Sequence, residues 1–231
     1  MDMKSFKYIC LAVLSVLCFA SCEKETEGVS NANKLLFELK GGETMLVTLG
    51  TSYQDPGFVA QFNGMDDSKN VVVEGSVDAQ TVGLYYVSYV HHNVDEIQTV
   101  LKRTVIVCDP TVETDISGAY LTAPGTFRRS GAAEVPFEGF KVSISKIAPG
   151  FFRISDFLGG YYHQRAGYGT AYACNGYVQL KSDNTLTLLS SSILPWGDTL
   201  TGVSDASFDP ETGVVKWCAD YAGMLFYVVL K

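Results

Sequence analysis

The chain is short of positive charge, since 17 Lys and Arg residues stand against 25 Asp and Glu residues and the formal net charge is −8. A nucleic-acid-binding surface needs a basic face to meet the phosphates, and no run of Lys or Arg provides one. We therefore expect no nucleic-acid partner. Hydrophobic residues at 47% and charged residues at 18% give enough apolar side chain for packed cores, which excludes a largely disordered protein.

Catalytic motifs are also lacking. The sequence contains no GxSxG elbow, no HExxH, no P-loop and no GxGxxG followed by a helix pattern, the motifs that mark many hydrolases and nucleotide-binding enzymes. The carboxylates of the C-terminal half are scattered, and the sequence pairs none of them. We expect a non-enzymatic protein with no catalytic residue and no cofactor. A hydrolase is the alternative, and it would need a pair of carboxylates at catalytic separation inside a cleft.

Histidine is scarce, with three residues in the whole chain. His91 and His92 are adjacent, and Asp95 and Glu96 follow closely. Neighbouring residues of a strand point to opposite faces, so the two imidazoles would not converge on one ion. We expect a solvated hairpin tip here and no metal site.

Six cysteines are present, but none has CxxC spacing, which excludes metal-finger and thioredoxin-like motifs. Cys10 and Cys18 lie in an apolar N-terminal stretch. The body of the chain keeps an odd number, which fits either one disulfide with a free thiol or three thiols. Apolar, strand-like neighbours favour buried thiols at Cys108, Cys174 and Cys218.

The N-terminus has the layout of an export signal. Lys4 and Lys7 form a basic start, and residues 8–19 are apolar over a length that suits a signal peptide and is short for a bilayer span. The stretch ends in F-A-S-C at residues 19–22, which resembles the bacterial lipobox, in which the cysteine thiol takes the diacylglycerol. We predict that residues 1–21 are removed and that Cys22 is lipidated. An ordinary signal peptide with a chance cysteine is the alternative.

An acidic, charged stretch follows the predicted lipidation site. Two or three acyl chains on one residue give a stable anchor, and E-K-E-T-E-G at 23–28 has no apolar period. We therefore predict a tether over residues 22–33. Such an acidic stretch resembles the surface-export signal of Bacteroidetes lipoproteins, which implies the outer face of the outer membrane. A plain polar linker, with the protein on the periplasmic face, is the alternative.

Residues 34–110 alternate as β-strands do, and three of their motifs follow a characteristic order. L-G-T-S-Y-Q-D-P-G-F stands at 49–58, V-E-G-S-V-D at 73–78 and T-V-G-L-Y-Y-V-S-Y at 81–89. This order resembles the bacterial Ig-like domain first described in pesticidal crystal proteins. The resemblance implies a β-sandwich that serves as a spacer or adhesion module, although the fold alone does not fix a function. The last turn of that pattern is replaced by H-H-N-V-D-E at 91–96.

Residues 115–231 form a second β-rich region. Short turn sequences join its strand patterns, namely A-P-G at 148–150, S-D-N at 182–184 and D-P-E-T-G at 209–213. Short links between successive strands favour an antiparallel meander. The predicted fold class is all-β, with an N-terminal Ig-like β-sandwich followed by an antiparallel meander β-barrel-like domain.

Three segments of the second region point to a family. They are I-S-G-A-Y at 116–120, a long run from K-V-S-I-S-K to L-G-G-Y-Y at 141–162, and L-T-L-L-S-S-S-I-L-P-W-G-D at 186–198. They resemble the C-terminal domain of two-domain lipoproteins of gut Bacteroidetes, whose first domain is the same Ig-like type. Accessory lipoproteins of polysaccharide-uptake systems share this setting, so the resemblance suggests glycan capture.

Two loops of the second region combine aromatic rings with polar side chains. They are F-L-G-G-Y-Y-H-Q-R-A-G-Y-G at 157–169 and P-W-G-D at 195–198. Aromatic rings stack on the apolar faces of sugars, and polar groups bond their hydroxyls. The alternative is that the tyrosines and Trp196 close the end of the domain as core. The predicted ligand-binding residues are Tyr161, Tyr162, His163, Arg165, Tyr168, Trp196 and Asp198.

Two hypotheses of function come from different classes. The first is a non-enzymatic cell-surface lipoprotein that binds an extracellular glycan for a nutrient-uptake system. The second is a structural or adhesion lipoprotein that contacts another outer-membrane protein, such as a transporter. An exposed aromatic cleft favours the first, whereas a flat apolar patch or an open sheet edge favours the second.

Overall fold

The computed structural model describes residues 34–93 and 98–231. The predicted signal (1–21), Cys22 and the rest of the predicted tether (22–33) lie outside the described residues, as do Asp95 and Glu96. The described chain is almost entirely β-structure, so the predicted all-β class is confirmed. Among the described residues, no helix has the length and apolar character needed to cross a membrane.

The first domain is a sandwich of two sheets. Its strands are β1 (Leu35–Leu39), β2 (Thr44–Thr48), β3 (Phe58–Phe62), β4 (Met65–Asp66), β5 (Val71–Glu74), β6 (Gly83–His92) and β7 (Gln98–Cys108). One sheet has the order β1-β3-β4 and the other the order β2-β7-β6-β5. Strand β2 pairs with β7 in parallel, while β6 pairs antiparallel with β5 and β7. The structure thus confirms the Ig-like sandwich.

A buried arginine fixes the D-P-G turn against the second sheet. The Arg103 side chain is fully buried and its Nη1 donates to the Asp55 carboxylate at 2.6 Å. Its Nη2 donates to the carbonyl oxygen of Gly57 at 3.0 Å and to that of Lys40. The other oxygen of Asp55 accepts the hydroxyl of Tyr89 at 2.5 Å. A buried charge is tolerated only with partners of this kind.

His91 lies inside the sandwich, so the expectation of a solvated tip is wrong for this residue. Its side chain is 1% exposed, and its Nε2 lies 2.7 Å from the Asp67 carboxylate. The ring of Phe37 packs 5.7 Å away, centroid to centroid. The two-residue period of β6 places His91 on the same face as buried Tyr89. His92, one residue further, is half-buried.

The second domain contains two five-stranded sheets. Its strands are β8 (Gly118–Leu121), β9 (Phe127–Ser130), β10 (Ala133–Pro136), β11 (Lys141–Ala148), β12 (Phe151–Ile154), β13 (Asn175–Leu180), β14 (Leu186–Ser192), β15 (Gly202–Asp209), β16 (Val214–Tyr221) and β17 (Met224–Leu230). The sheet orders are β14-β13-β12-β11-β8 and β10-β9-β17-β16-β15. Every pairing in these two sheets is antiparallel.

The barrel-like prediction is corrected by these sheets, because no continuous ladder closes the domain. At one corner β8 meets β17 through the single bridge Thr122–Leu230, and at the other β14 meets β15 through Thr185–Ser207. The hairpin β9–β10 accounts for the first corner. It pairs with Leu225–Tyr227 of β17 and leaves only the end of that strand for β8. The predicted meander holds from β11 to β17, whereas β8 pairs with β11 and β9 pairs with β17, which are not their neighbours in sequence.

One core fills the space between the two sheets. Its buried residues come from both sheets and from the loop after β12, and they include Phe152, Phe157, Trp217 and Phe226. Inward side chains alternate with outward ones along β11, for example buried Val142 and Ile144. Removing this apolar surface from water is the main source of the stability of such a domain.

The two domains pack against each other through a small apolar cluster. Ile106 and Cys108 from β7 meet Ala148 and Phe151 from the β11–β12 hairpin. Phe151 has no exposed surface. The hairpin tip that joins β11 to β12 is therefore the contact point of the first domain.

The three cysteines of the described chain, Cys108, Cys174 and Cys218, are free and buried. Burial raises the pKa of each thiol. A neutral buried thiol is a poor nucleophile and behaves as a small apolar side chain. This agrees with the prediction of buried thiols.

Candidate functional site

The first predicted ligand loop connects β12 to β13 and is built from short helical turns. A π-helical turn spans Tyr161–Arg165 and a 3-10 turn spans Thr170–Tyr172. Gly160 precedes the π turn with φ of 83°, and a Cβ at this position would lie 2.7 Å from the Cβ of Phe140. Glycine alone fits both the left-handed backbone and the close approach.

A buried carboxylate holds the loop at both ends. Asp156 is 2% exposed. Its Oδ1 accepts the backbone N–H of Leu158 at 2.9 Å and of Cys174 at 3.1 Å, and its Oδ2 accepts that of Gly160 at 3.1 Å. The N–H of Phe157 also donates to the carbonyl oxygen of Cys174 at 2.7 Å. The two ends of the loop are thereby joined.

The second predicted loop is a tight turn between β14 and β15. The N–H of Ile193 donates to the carbonyl oxygen of Asp198 at 2.9 Å, and the N–H of Gly197 donates to that of Ile193 at 3.0 Å. Gly197 has φ of 68°, which suits the left-handed position of such a turn. The turn holds Trp196 at its tip.

The two loops bring four aromatic rings together, and we call Tyr162, Tyr168, Tyr172 and Trp196 the aromatic patch. The ring centroid of Trp196 lies 5.1 Å from that of Tyr162, 6.1 Å from that of Tyr168 and 4.9 Å from that of Tyr172. All three contacts are edge-to-face, a geometry that contributes about 0.5–1.5 kcal/mol per pair beyond burial.

The aromatic patch reaches solvent and is not a core plug. Tyr168 is 54% exposed and Trp196 is 38% exposed, and neighbouring Leu194 is 77% exposed. Tyr162 and Tyr172 are half-buried. Tyr162 rests on the core residue Phe226, at 6.0 Å between centroids. The patch therefore has a fixed base and an accessible outer surface.

Tyr161 corrects the sequence-based set, because its ring belongs to the core. It is 7% exposed and packs edge-to-face on Phe137 at 5.2 Å. Adjacent residues of the turn point in different directions, so Tyr162 takes the outward place. Arg165 lies over the ring of Tyr161, 5.0 Å from its centroid. His163 is half-buried in the same π turn.

Asp198 borders the aromatic patch and is linked to it by Tyr221, a residue that the sequence did not indicate. Its carboxylate accepts the hydroxyl of Tyr221 at 2.8 Å, and the Tyr221 ring stacks beneath Trp196 at 6.3 Å with 16° between planes. Burial and this hydrogen bond raise the pKa of Tyr221, so the phenol stays neutral. Tyr221 lies within a core-like strand pattern, which hid its role.

Tyr172 is the other missed residue. It follows the predicted loop by three positions, and the spacing of tyrosines in Y-G-T-A-Y at 168–172 was its only signal.

In the described ranges 34–93 and 98–231, no group of three His, Cys, Asp or Glu side chains could hold a metal ion. The patch thus offers stacking surfaces bordered by a carboxylate, without metal ligands.

Comparisons with known proteins match both domains. The family model of a bacterial surface protein Ig-like domain matches residues 37–107, and a family model of a C-terminal domain matches residues 109–231. The crystal structure of the lipoprotein BT2262 from Bacteroides thetaiotaomicron is 39% identical in sequence, with a TM-score of 0.50. The match covers 86% of this chain and 100% of that one. A search of curated proteins finds no match.

Proposed function

The chain belongs to the family of two-domain Bacteroides lipoproteins represented by BT2262, and from this premise we propose that it binds an extracellular glycan at the cell surface. In this proposal Cys22 carries the lipid that anchors the protein to the outer membrane. The Ig-like domain is the spacer, and the aromatic patch of the second domain is the binding surface. The protein performs no catalysis.

The exposed aromatic patch is the observation that carries this proposal. Sugar rings present an apolar face of C–H groups, and an exposed Trp or Tyr ring offers a flat partner for it. Rings that are held by their neighbours lose little side-chain entropy on binding. Trp196 touches Tyr162, Tyr172 and Tyr221, so it is held in this way. The exposed carboxylate of Asp198 lies at the border of the patch and can accept sugar hydroxyls.

Binding is tested with the fragment that begins at residue 23, applied to an array of extracellular polysaccharides and their oligosaccharides. We expect saturable binding by this fragment. Trp196→Ala is expected to weaken it about tenfold or more, because a central aromatic anchor is lost. The matched control is Tyr86→Ala, which removes a 42% exposed tyrosine from the first domain. An array without hits, or equal binding by both variants, would refute glycan binding at this patch.

Anchoring is tested separately in cells. Cys22→Ala is expected to abolish the incorporation of a labelled fatty acid into the protein, because the thiol that carries the acyl chains is lost. Cys18→Ala is the matched control, since this cysteine lies within the predicted signal, and it should leave the fatty-acid labelling unchanged. Degradation of the wild-type protein by protease added to intact cells would support the outer face. Protection until the outer membrane is opened would assign the periplasmic face.

Contact with another outer-membrane protein is the second candidate, and Leu194 favours it. An aliphatic side chain that is 77% exposed beside Trp196 enlarges the apolar surface beyond what sugar stacking needs. Leu194→Ser separates the two functions. Glycan affinity should change little, whereas a protein partner cross-linked in cells should be lost.

A further inference from the structure

We propose that Asp156 is the positioning residue of the aromatic patch, because its single buried carboxyl group fixes both ends of the loop that carries Tyr162, Tyr168 and Tyr172. What this inference implies for glycan binding rests on the proposed function. What it implies for the conformation of the loop rests on the hydrogen bonds of Asp156 alone. Asp156 touches none of the four patch rings and acts through the backbone.

The first end of the loop depends on Oδ2. Its bond from the N–H of Gly160, at 3.1 Å, holds the left-handed residue that starts the π turn. Tyr162 is two residues further and contacts three other rings of the site, those of Trp196, Tyr168 and Tyr221. A rotation of the backbone at Gly160 would therefore turn Tyr162 away from Trp196.

The second end depends on Oδ1. This oxygen accepts the N–H of Cys174 at 3.1 Å as well as that of Leu158 at 2.9 Å. Tyr172 lies two residues before Cys174, and its ring is the nearest patch ring to Trp196. One carboxyl group therefore joins the backbone at residue 158 to the backbone at residue 174. It fixes the distance between the two ends of the loop that carries the patch tyrosines.

The ionisation of Asp156 provides a readout that a purely structural role would not share. Burial raises the pKa of Asp156 to about 7, against the three backbone N–H bonds that lower it. The facing titratable group is the Cys174 thiol, whose pKa burial also raises, so it stays neutral. Because the closed loop holds the proton more tightly than an open one, closure is strongest at acid pH and weakens as pH rises to about 7.

The test is amide hydrogen exchange on the whole mature chain. Asp156→Asn keeps one carbonyl oxygen, which should still accept the backbone N–H groups of Leu158 and Cys174. We expect these two amides to keep most of their protection while that of Gly160 exchanges tenfold or more faster. Asp156→Ala should expose all three. Asp183→Asn is the matched control, since Asp183 caps Thr185 in the β13–β14 turn, and it should leave the loop unchanged.

The pH profile completes the test, and glycan binding by the wild type separates this inference from the proposed function. In the wild type, loop opening, obtained by dividing each exchange rate by the intrinsic rate of that amide at the same pH, should rise by up to about tenfold per pH unit between pH 5 and 7, and Asp156→Asn should abolish this dependence. Equal exchange of the three amides in Asp156→Asn and wild type, or identical pH profiles, would overturn the positioning role. Loss of protection without any glycan binding in the wild type would instead refute the proposed function and leave the positioning role intact.

Discussion

Arg103→Met is expected to destabilise the first domain by about 2–3 kcal/mol, because a fully buried side chain loses a charge-assisted hydrogen bond to the partly exposed Asp55 carboxylate and two further bonds to carbonyl oxygens. The substitution removes the cationic partner of Asp55 and the Arg103 donor to the carbonyl oxygen of Lys40. The carbonyl oxygen of Gly57 loses one of its two donors and keeps the N–H of Lys40. The Tyr89 hydroxyl would remain on an unneutralised Asp55. Methionine fills much of the volume, so the loss reports polar contacts rather than a cavity.

Thermal unfolding measures this effect. For a domain of this size we expect the first-domain transition to fall by roughly 10 °C or more. Lys102→Met is the matched control, because Lys102 directly precedes Arg103 in β7. Its Nζ lies over the ring of Tyr86, 3.6 Å from the ring centroid. Its loss should cost less than about 1 kcal/mol. Similar transitions for the two variants would contradict the structural role of the Arg103 network.

Gly176→Ala is expected to destabilise the second domain by about 3 kcal/mol, the upper end of the usual cost of overpacking. A Cβ at Gly176 would lie 2.0 Å from the carbonyl oxygen of Ser190 and 2.7 Å from the Cα of Ser191. Both atoms belong to the backbone of β14, so the clash can be removed only if the strand itself moves. A change of side-chain rotamer is not enough. The movement would also displace the turn that follows β14 and holds Trp196.

Gly202→Ala is the control for this prediction, with the opposite expected sign. Gly202 begins β15, and a Cβ there would meet nothing within 4 Å. Replacing it should be neutral or stabilise by a few tenths of a kcal/mol to about 1 kcal/mol, because alanine restricts the unfolded chain. Denaturant unfolding of both variants provides the comparison. A Gly176→Ala protein as stable as Gly202→Ala would show that β13 and β14 are not as close as described.

Most strands could be predicted from the sequence, because alternation with a period of two survives wherever one face is buried. The runs at 44–49 and 85–90 have this pattern and contain β2 and most of β6. Closure of the second domain could not be predicted in the same way. It depends on how far β8 extends along β17, and the hairpin β9–β10 decides this by occupying Leu225–Tyr227.

Buried polar residues were the least predictable part of the fold. Arg103 and His91 look like surface residues in the sequence, yet both share a strand face with apolar core residues. Each is buried because a carboxylate distant in sequence, Asp55 or Asp67, approaches it in space. The two-residue alternation of a strand shows which face a side chain is on, but it does not show which carboxylate will pair with it.

The candidate site was predicted in its loops and less well in its individual residues. The residue types indicated that loops 157–169 and 195–198 have related chemistry, and the structure brings Tyr162, Tyr168 and Trp196 into contact. The π turn then decides which of two consecutive tyrosines faces the core. Asp156 is one of the scattered carboxylates to which the sequence assigns no partner, because three backbone donors converge on it only after the chain folds.

Glycan binding at the aromatic patch is tested most directly by the two tryptophans of the chain. Trp196 is at the patch, whereas Trp217 is buried and its Nε1 donates to the carbonyl oxygen of Phe157 at 2.7 Å. In a titration with the strongest glycan from the array, followed by the two indole N–H resonances, we predict a saturable shift of the Trp196 signal and none of the Trp217 signal. A Trp196 resonance that stays fixed at saturating glycan would contradict the account.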